Sequence, residues 1–153
     1  MDWMLLPFRR YADFSGRSRR MEFWMFSLLN LIVYAILVGV SFSGFPWAAI
    51  LAEDTDALAS MPPLSGVTIA ALAVLGIWAF AIIIPSIAVT VRRLHDRDMS
   101  GWWYLGLIVL SLIPVVGFIA SIAMLVLMVL PGTAGPNRFG NDPKDIGNAG
   151  VFA

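Results

Sequence analysis

The chain has no cysteine, which excludes disulfides, thiolate catalysis and Cys-ligated zinc or iron–sulfur sites. It has one histidine, His95, too little for a histidine-built metal centre that needs three or four ligands. Charge is scarce: Asp, Glu, Lys and Arg make up 13% of 153 residues, too few to clothe a water-soluble sphere of that size. Formal net charge is zero, so no bulk basic field points to nucleic acid. Walker, dinucleotide-binding, zincin and nucleophile-elbow patterns are missing as well. No enzyme, cofactor or metal site is expected.

What the chain does have is apolar sequence. Hydrophobic residues make up 59%, and mean hydropathy is +0.84. All charged residues avoid three stretches, 23–52, 57–91 and 99–137. A charge at the bilayer centre costs about 2.5–3.5 kcal/mol on insertion scales, so such gaps mark where lipid excludes charge. The pattern predicts an all-α integral membrane protein, a small helical bundle of three or four transmembrane segments. At this length one compact unit is expected. The first apolar run comes after 22 residues and continues for 30 without a charge, longer than the about 7–15 of a secretory signal. A retained anchor is expected there.

A helix needs about 20 residues to span the hydrocarbon core. That predicts a leader over 1–22, a first span over 23–45, an acidic outer loop over 46–66 and a second span over 67–91. Next come a basic inner loop over 92–101, a third apolar stretch over 102–130 and a turn-rich tail over 131–153. Gly44, Pro46, Pro62-Pro63 and Ser65-Gly66 are the breakers around the outer loop, and Glu53, Asp54 and Asp56 make it acidic. Pro85 is expected to kink the second span. The third stretch allows two readings. It is one tilted, kinked span, or a hairpin of two short helices broken at Pro114/Gly117 that returns the tail to the side it came from.

Orientation is set by arginine. The leader carries Arg9, Arg10, Arg17, Arg19 and Arg20, the 46–60 region no basic residue, and the next connection Arg92, Arg93 and Arg97. Positive-inside bias then puts the N-terminus in the cytoplasm of a multi-pass membrane protein. Trp24, Trp47, Trp102 and Trp103 fall at the expected interfaces, where an amphipathic ring anchors; Trp78 lies deep in the second span.

The basic blocks hold the candidate site. Arg17, Arg19 and Arg20 of the leader, Arg92 and Arg93 at the end of the second span, and Arg138 of the tail are candidates for binding an anionic headgroup or another anion. The plainer reading is topological anchoring, with Arg92 and Arg93 complementing a helix C-terminus. His95 and Asp96 invite a catalytic or metal reading, but no nucleophile or ligand set accompanies them, and a structural polar corner is expected instead. Ser18, and Asp98 or Ser100, are candidate helix caps. In the tail, three prolines and the glycines among residues 131–143 forbid a helix. Phe139 is a candidate anchor and Arg138 a candidate ion-pair partner, folding the tail against the 92–98 region and the leader. No ionisable residue lies inside a span, which argues against a stand-alone ion-coupled transporter.

Four blocks carry a family resemblance. They are Phe14-Ser15-Gly16-Arg17-Ser18-Arg19-Arg20-Met21-Glu22-Phe23-Trp24, Arg92-Arg93-Leu94-His95-Asp96, Ser100-Gly101-Trp102-Trp103, and Pro131-Gly132-Thr133-Ala134-Gly135-Pro136-Asn137-Arg138-Phe139-Gly140-Asn141-Asp142-Pro143. In that order they resemble the bacterial inner-membrane family known as domain of unknown function 805. Asp98-Met99 departs from its pattern, where a small or basic residue is more usual. The resemblance implies a small helical inner-membrane protein and no particular activity. The expectation is a non-catalytic protein whose cytoplasmic arginine-rich face meets the lipid bilayer, its anionic headgroups or a protein partner. The alternative is a small transport or permeation component acting as a homo-oligomer.

Overall fold

The computed structural model of the chain describes residues 2–43, 45, 47–53, 55–56 and 64–144. Among these the helices are α1 (Asp2–Arg9), α2 (Arg20–Phe42), α3 (Trp47–Leu51), α4 (Gly66–His95), α5 (Trp102–Ser111) and α6 (Pro114–Val129). The only extended pairing among the described residues is a single bridge between Asn137 and Gly140. Gly44, Pro46, Asp54, Pro62-Pro63 and the tail beyond Lys144 lie outside the described residues.

The two long helices track the charge gaps, with informative differences at their ends. α2 begins three residues before the expected span, so Arg20, Met21 and Glu22 form its first turn. α4 runs unbroken past Pro85 and takes in residues 92–95, for which the sequence predicts a loop. Arg92, Arg93 and His95 thus occupy its last turn, where cations suit the negative end of the helix dipole. It ends at His95, and three residues further on Asp98 takes a left-handed φ of 58°. Both helices are long and apolar enough to cross a membrane, and their most apolar windows are only 11% and 17% buried. The core helices of a water-soluble protein would be mostly covered, so these helices present their apolar surface outward.

The third apolar stretch is two helices. Leu112 ends α5, Ile113 is extended at φ −96° and ψ 115°, and Pro114 opens α6. The residue before a proline is driven out of the helical region, while proline itself fits the first helical position. Gly117 serves a different purpose from the turn expected of it. A Cβ there would lie 2.5 Å from the Ser111 carbonyl oxygen, so only glycine lets α6 approach the end of α5 so closely. At 10 and 16 residues these helices are about 15 and 24 Å long.

The chain divides into two compact units, Met1–Leu29 with Ile83–Ala153, and Asn30–Ile82. In the second, Phe42, Phe45 and Trp47 stack with centroids 5.2–5.7 Å apart, and the Trp47 indole donates to the Phe42 carbonyl at 3.0 Å. The Ser65 hydroxyl accepts from the Thr68 N–H at 3.1 Å and so caps the start of α4. The first unit holds the arginine-bearing segments. Burial there is inverted relative to a soluble protein: Arg92 and Arg93 are 0% exposed, whereas Trp102 is 77% exposed.

Candidate functional site

The leader turns before α2. Asp13 accepts from Arg10 Nε and Nη2 at 2.9 and 2.7 Å, and from the Ser15 hydroxyl and N–H at 2.5 and 3.0 Å. The Ser15 hydroxyl bond, with Arg10 beside it, holds the Asp13 carboxyl well below the usual carboxylate range. Gly16 comes next at φ +75°, a conformation that favours glycine. This turn aims backbone carbonyls at the end of α4. Arg92 Nη1 donates to the Asp13 and Arg10 carbonyls, and the Ser18 N–H donates to the Arg92 carbonyl at 3.1 Å.

Two buried carboxylates, Glu22 and Asp96, organise the arginines around the end of α4. Glu22 accepts from Arg92 Nη2 at 2.7 Å and from the Ser18 hydroxyl at 2.7 Å. Ser18 therefore bonds to a side chain rather than to the helix N–H groups expected of a cap. Asp96 is shared: Arg17 approaches one carboxylate oxygen at 2.9 Å through Nε, while Arg93 Nη1 donates to the other. All five side chains are at most 4% exposed. Three guanidinium groups thus face two carboxylates away from water, and an ion left unpaired in such a place costs several kcal/mol.

Backbone carbonyls take up further donors, although Arg92 Nε is buried without a partner. Arg93 donates to Met128 at 3.3 Å and to Leu130, the unsatisfied carbonyl end of α6. Arg17 donates to Thr133 and Gly135, both at 2.6 Å. Arg97 reaches Pro131 at 2.9 Å. The tail is caught from the other side too. The Thr133 N–H donates to the Asp96 carbonyl at 2.8 Å, and Asn137 Nδ2 donates to the His95 carbonyl at 2.9 Å. Gly132 lies so close to Asp96 that a Cβ would collide with its carboxylate.

His95 lies under the tail. Its ring stacks on Phe139 with centroids 3.9 Å apart and planes within 4°, and Nδ1 is 3.2 Å from the Gly16 carbonyl. Arg138 covers Phe139 at 4.8 Å and pairs with Asp98 at 3.2 Å. Burial pushes the imidazole below its ordinary value, the Gly16 contact opposes this, and the Arg138 charge adds to it.

The anion-binding candidates therefore separate by environment. Arg17, Arg92 and Arg93 are inside, bonded to carboxylates and carbonyls. Arg19 donates to the Pro143 carbonyl and lies 5.5 Å from the Trp3 ring centre. Arg20 is exposed, with one 3.3 Å bond to the Val129 carbonyl, and Arg138 is exposed on Asp98. Trp24, Trp47, Trp102 and Trp103 are all exposed. Ser100 accepts from the Trp102 N–H at 3.4 Å, while the carboxylate of Asp98 turns to Arg138. Sequence reasoning missed the role of Glu22. Its signal was an acid at the very edge of a charge-free span, a position that is expensive without a partner. Among the described residues no three His, Cys, Asp or Glu side chains gather to hold a metal.

The sequence profile of the family described as "Protein of unknown function (DUF805)" matches residues 11–141, which takes in the whole arginine cluster. The chain belongs to this family. It is 35% identical over 144 residues to "Inner membrane protein YhaI" of Escherichia coli (strain K12), covering 94% of this chain and 97% of the relative. "Inner membrane protein YhaH" of the same strain is also 35% identical, over 94% and 98%. "Uncharacterized protein YiiR" of that strain is 30% identical over 88% of each chain. No solved structure matches. The names of YhaI and YhaH place them in the inner membrane and state no activity, in keeping with the outward apolar surface of α2 and α4.

Proposed function

We propose that this family member is a non-catalytic, multi-pass inner-membrane protein whose arginine-rich end lies in the cytoplasmic headgroup layer and binds anionic lipid. In this reading α2 and α4 each cross the bilayer. The α5–α6 hairpin enters from the cytoplasmic side and returns, and the N-terminus, residues 92–101 and the tail share that side. One observation carries the reading: leader, α4 terminus and tail converge on Arg17, Asp96 and Arg93, while Arg9 and Arg20 stay exposed outside the cluster. The inner arginines hold the fold; the outer ones are left for phosphates. Each Lys or Arg near an anionic leaflet contributes about 1 kcal/mol.

A C-terminal topology reporter tests the arrangement, with cytoplasmic reporter activity expected; a periplasmic signal overturns it. Native mass spectrometry of the full chain tests the binding. Retention of phosphatidylglycerol over phosphatidylethanolamine is expected. A closed ring of subunits without retained lipid favours a permeation component instead.

A further inference from the structure

A groove of about 410 Å³ opens between the first turns of α2 and the α5–α6 pair. Phe23, Trp24, Tyr104, Ala120, Ser121 and Met128 are among its walls. The three serine hydroxyls of the wall are already used. Ser27 donates to the Phe23 carbonyl at 2.9 Å, Ser111 to Ile108 at 2.6 Å and Ser121 to Gly117 at 2.8 Å. With its serine hydroxyls turned back onto their own helices, the groove offers a mainly apolar lining and favours an apolar occupant. From Ala120 to Met128 it runs about 12 Å along α6.

One end is strongly positive. Arg20, three residues before Phe23, donates to the carbonyl of Val129 at the end of α6. Arg20 is itself exposed. Arg93 and Arg97 donate to Leu130 and Pro131 just beyond. Asp96 is the carboxylate bonded within this group, and Arg17 already shares it. Positive charge in excess, at the edge of a low-dielectric layer, stabilises an anion placed against it.

We propose that this groove seats one anionic phospholipid, with its phosphate on the Arg20 guanidinium and an acyl chain along Phe23, Tyr104, Ala120 and Met128. The proposal rests on the membrane reading above and names the lipid-binding position within it. Charge complementarity at the mouth and an apolar channel behind it match the two halves of such a molecule, and a second protein copy would leave Arg20 without an anion.

The test is native mass spectrometry of the full chain in nonionic detergent, with phosphatidylglycerol or phosphatidylethanolamine added. One phosphatidylglycerol per chain is expected. Arg20→Gln lowers the preference for it over phosphatidylethanolamine about fivefold. Lys144→Gln, an exposed charge elsewhere, leaves the preference unchanged. Ser121→Phe fills the groove and abolishes retention of either lipid, with helix content by circular dichroism as the check on folding. Equal losses from Arg20→Gln and Lys144→Gln overturn the proposal, as does full retention in Ser121→Phe or a lipid-free dimer. A wild type without any anionic preference removes the wider binding reading too. A wild type that prefers phosphatidylglycerol while both groove variants are silent removes only the groove.

Discussion

The unit Asn30–Ile82 and the unit built from Met1–Leu29 and Ile83–Ala153 solve the same problem in opposite ways. In the first, serine hydroxyls stay close to home. Ser41 donates to the Leu37 carbonyl, Ser43 to Val40, and Ser65 bonds within the first turn of α4. In the second, Arg17 reaches 79 residues along the chain to Asp96 and 118 to Gly135, and Arg92 reaches 70 back to Glu22. A helix bathed in lipid satisfies its own backbone and asks little of its neighbours. Where chain ends and connections meet, no ladder is available, so guanidinium groups collect the loose carbonyls. Buried charge there supplies geometry that apolar packing alone does not define.

The sharpest way to break this contrast is to remove the shared carboxylate. Asp96→Ala leaves Arg17 and Arg93 buried without a counter-ion, and removing one partner of a buried pair costs about 3–5 kcal/mol. We expect loss of the folded monomer in detergent, or a large fall in its unfolding temperature, with residues 131–144 exposed to protease. Glu22→Gln keeps the volume and a hydrogen-bonding oxygen but strips the charge facing Arg92. A smaller loss, about 2–3 kcal/mol, is expected, since hydrogen bonds to charged groups contribute about that much. Thermal unfolding of the two variants side by side checks the order.

Next comes the backbone's own constraint. Gly132→Ala pushes a methyl group into the Asp96 carboxylate and carbonyl, so the tail must lift or Asp96 must move. Overpacking of this kind costs about 1–3 kcal/mol. Limited proteolysis should cut the tail of this variant while α2 and α4 stay intact.

Much of this was legible in the sequence, for reasons that differ by region. Absence of charge marks α2 and α4 because lipid penalises every ion alike. The break before Pro114 is written in proline's effect on the residue preceding it. The converging basic blocks, and Phe139 beside Arg138, pointed to the corner where His95 now stacks. Pairing was not legible. Nothing in local pattern says that Arg92 takes Glu22 while Arg93 takes Asp96, because those choices depend on helix positions far apart in the chain. For the same reason the arginines looked equivalent, although burial separates Arg92 and Arg93 from Arg20.

A gentler probe is pH. With the folded His95 imidazole held below its ordinary value, the unfolded chain takes up the proton first. Stability from this group is therefore complete above about 6.5 and falls as pH drops through that value. Melting temperatures between about pH 7.5 and 5.5 should show the decline, and His95→Gln should flatten that part of the profile. Arg138→Glu on the exposed Asp98 pair is expected to change stability by less than about 1 kcal/mol. Arg17 and Thr133 still hold the neighbouring tail segment.

The smallest effect should come from the other unit. Ser41 is fully buried, yet its hydroxyl bonds only to the carbonyl one turn back in its own helix. That carbonyl already belongs to the helical ladder, so Ser41→Ala strands no partner and removes little volume. A change within about 0.5 kcal/mol is expected from thermal unfolding. A loss comparable to that of Glu22→Gln would mean that burial alone sets the sensitivity of a polar group. The distance spanned by its bond would then have no bearing, and the contrast between the two units would disappear.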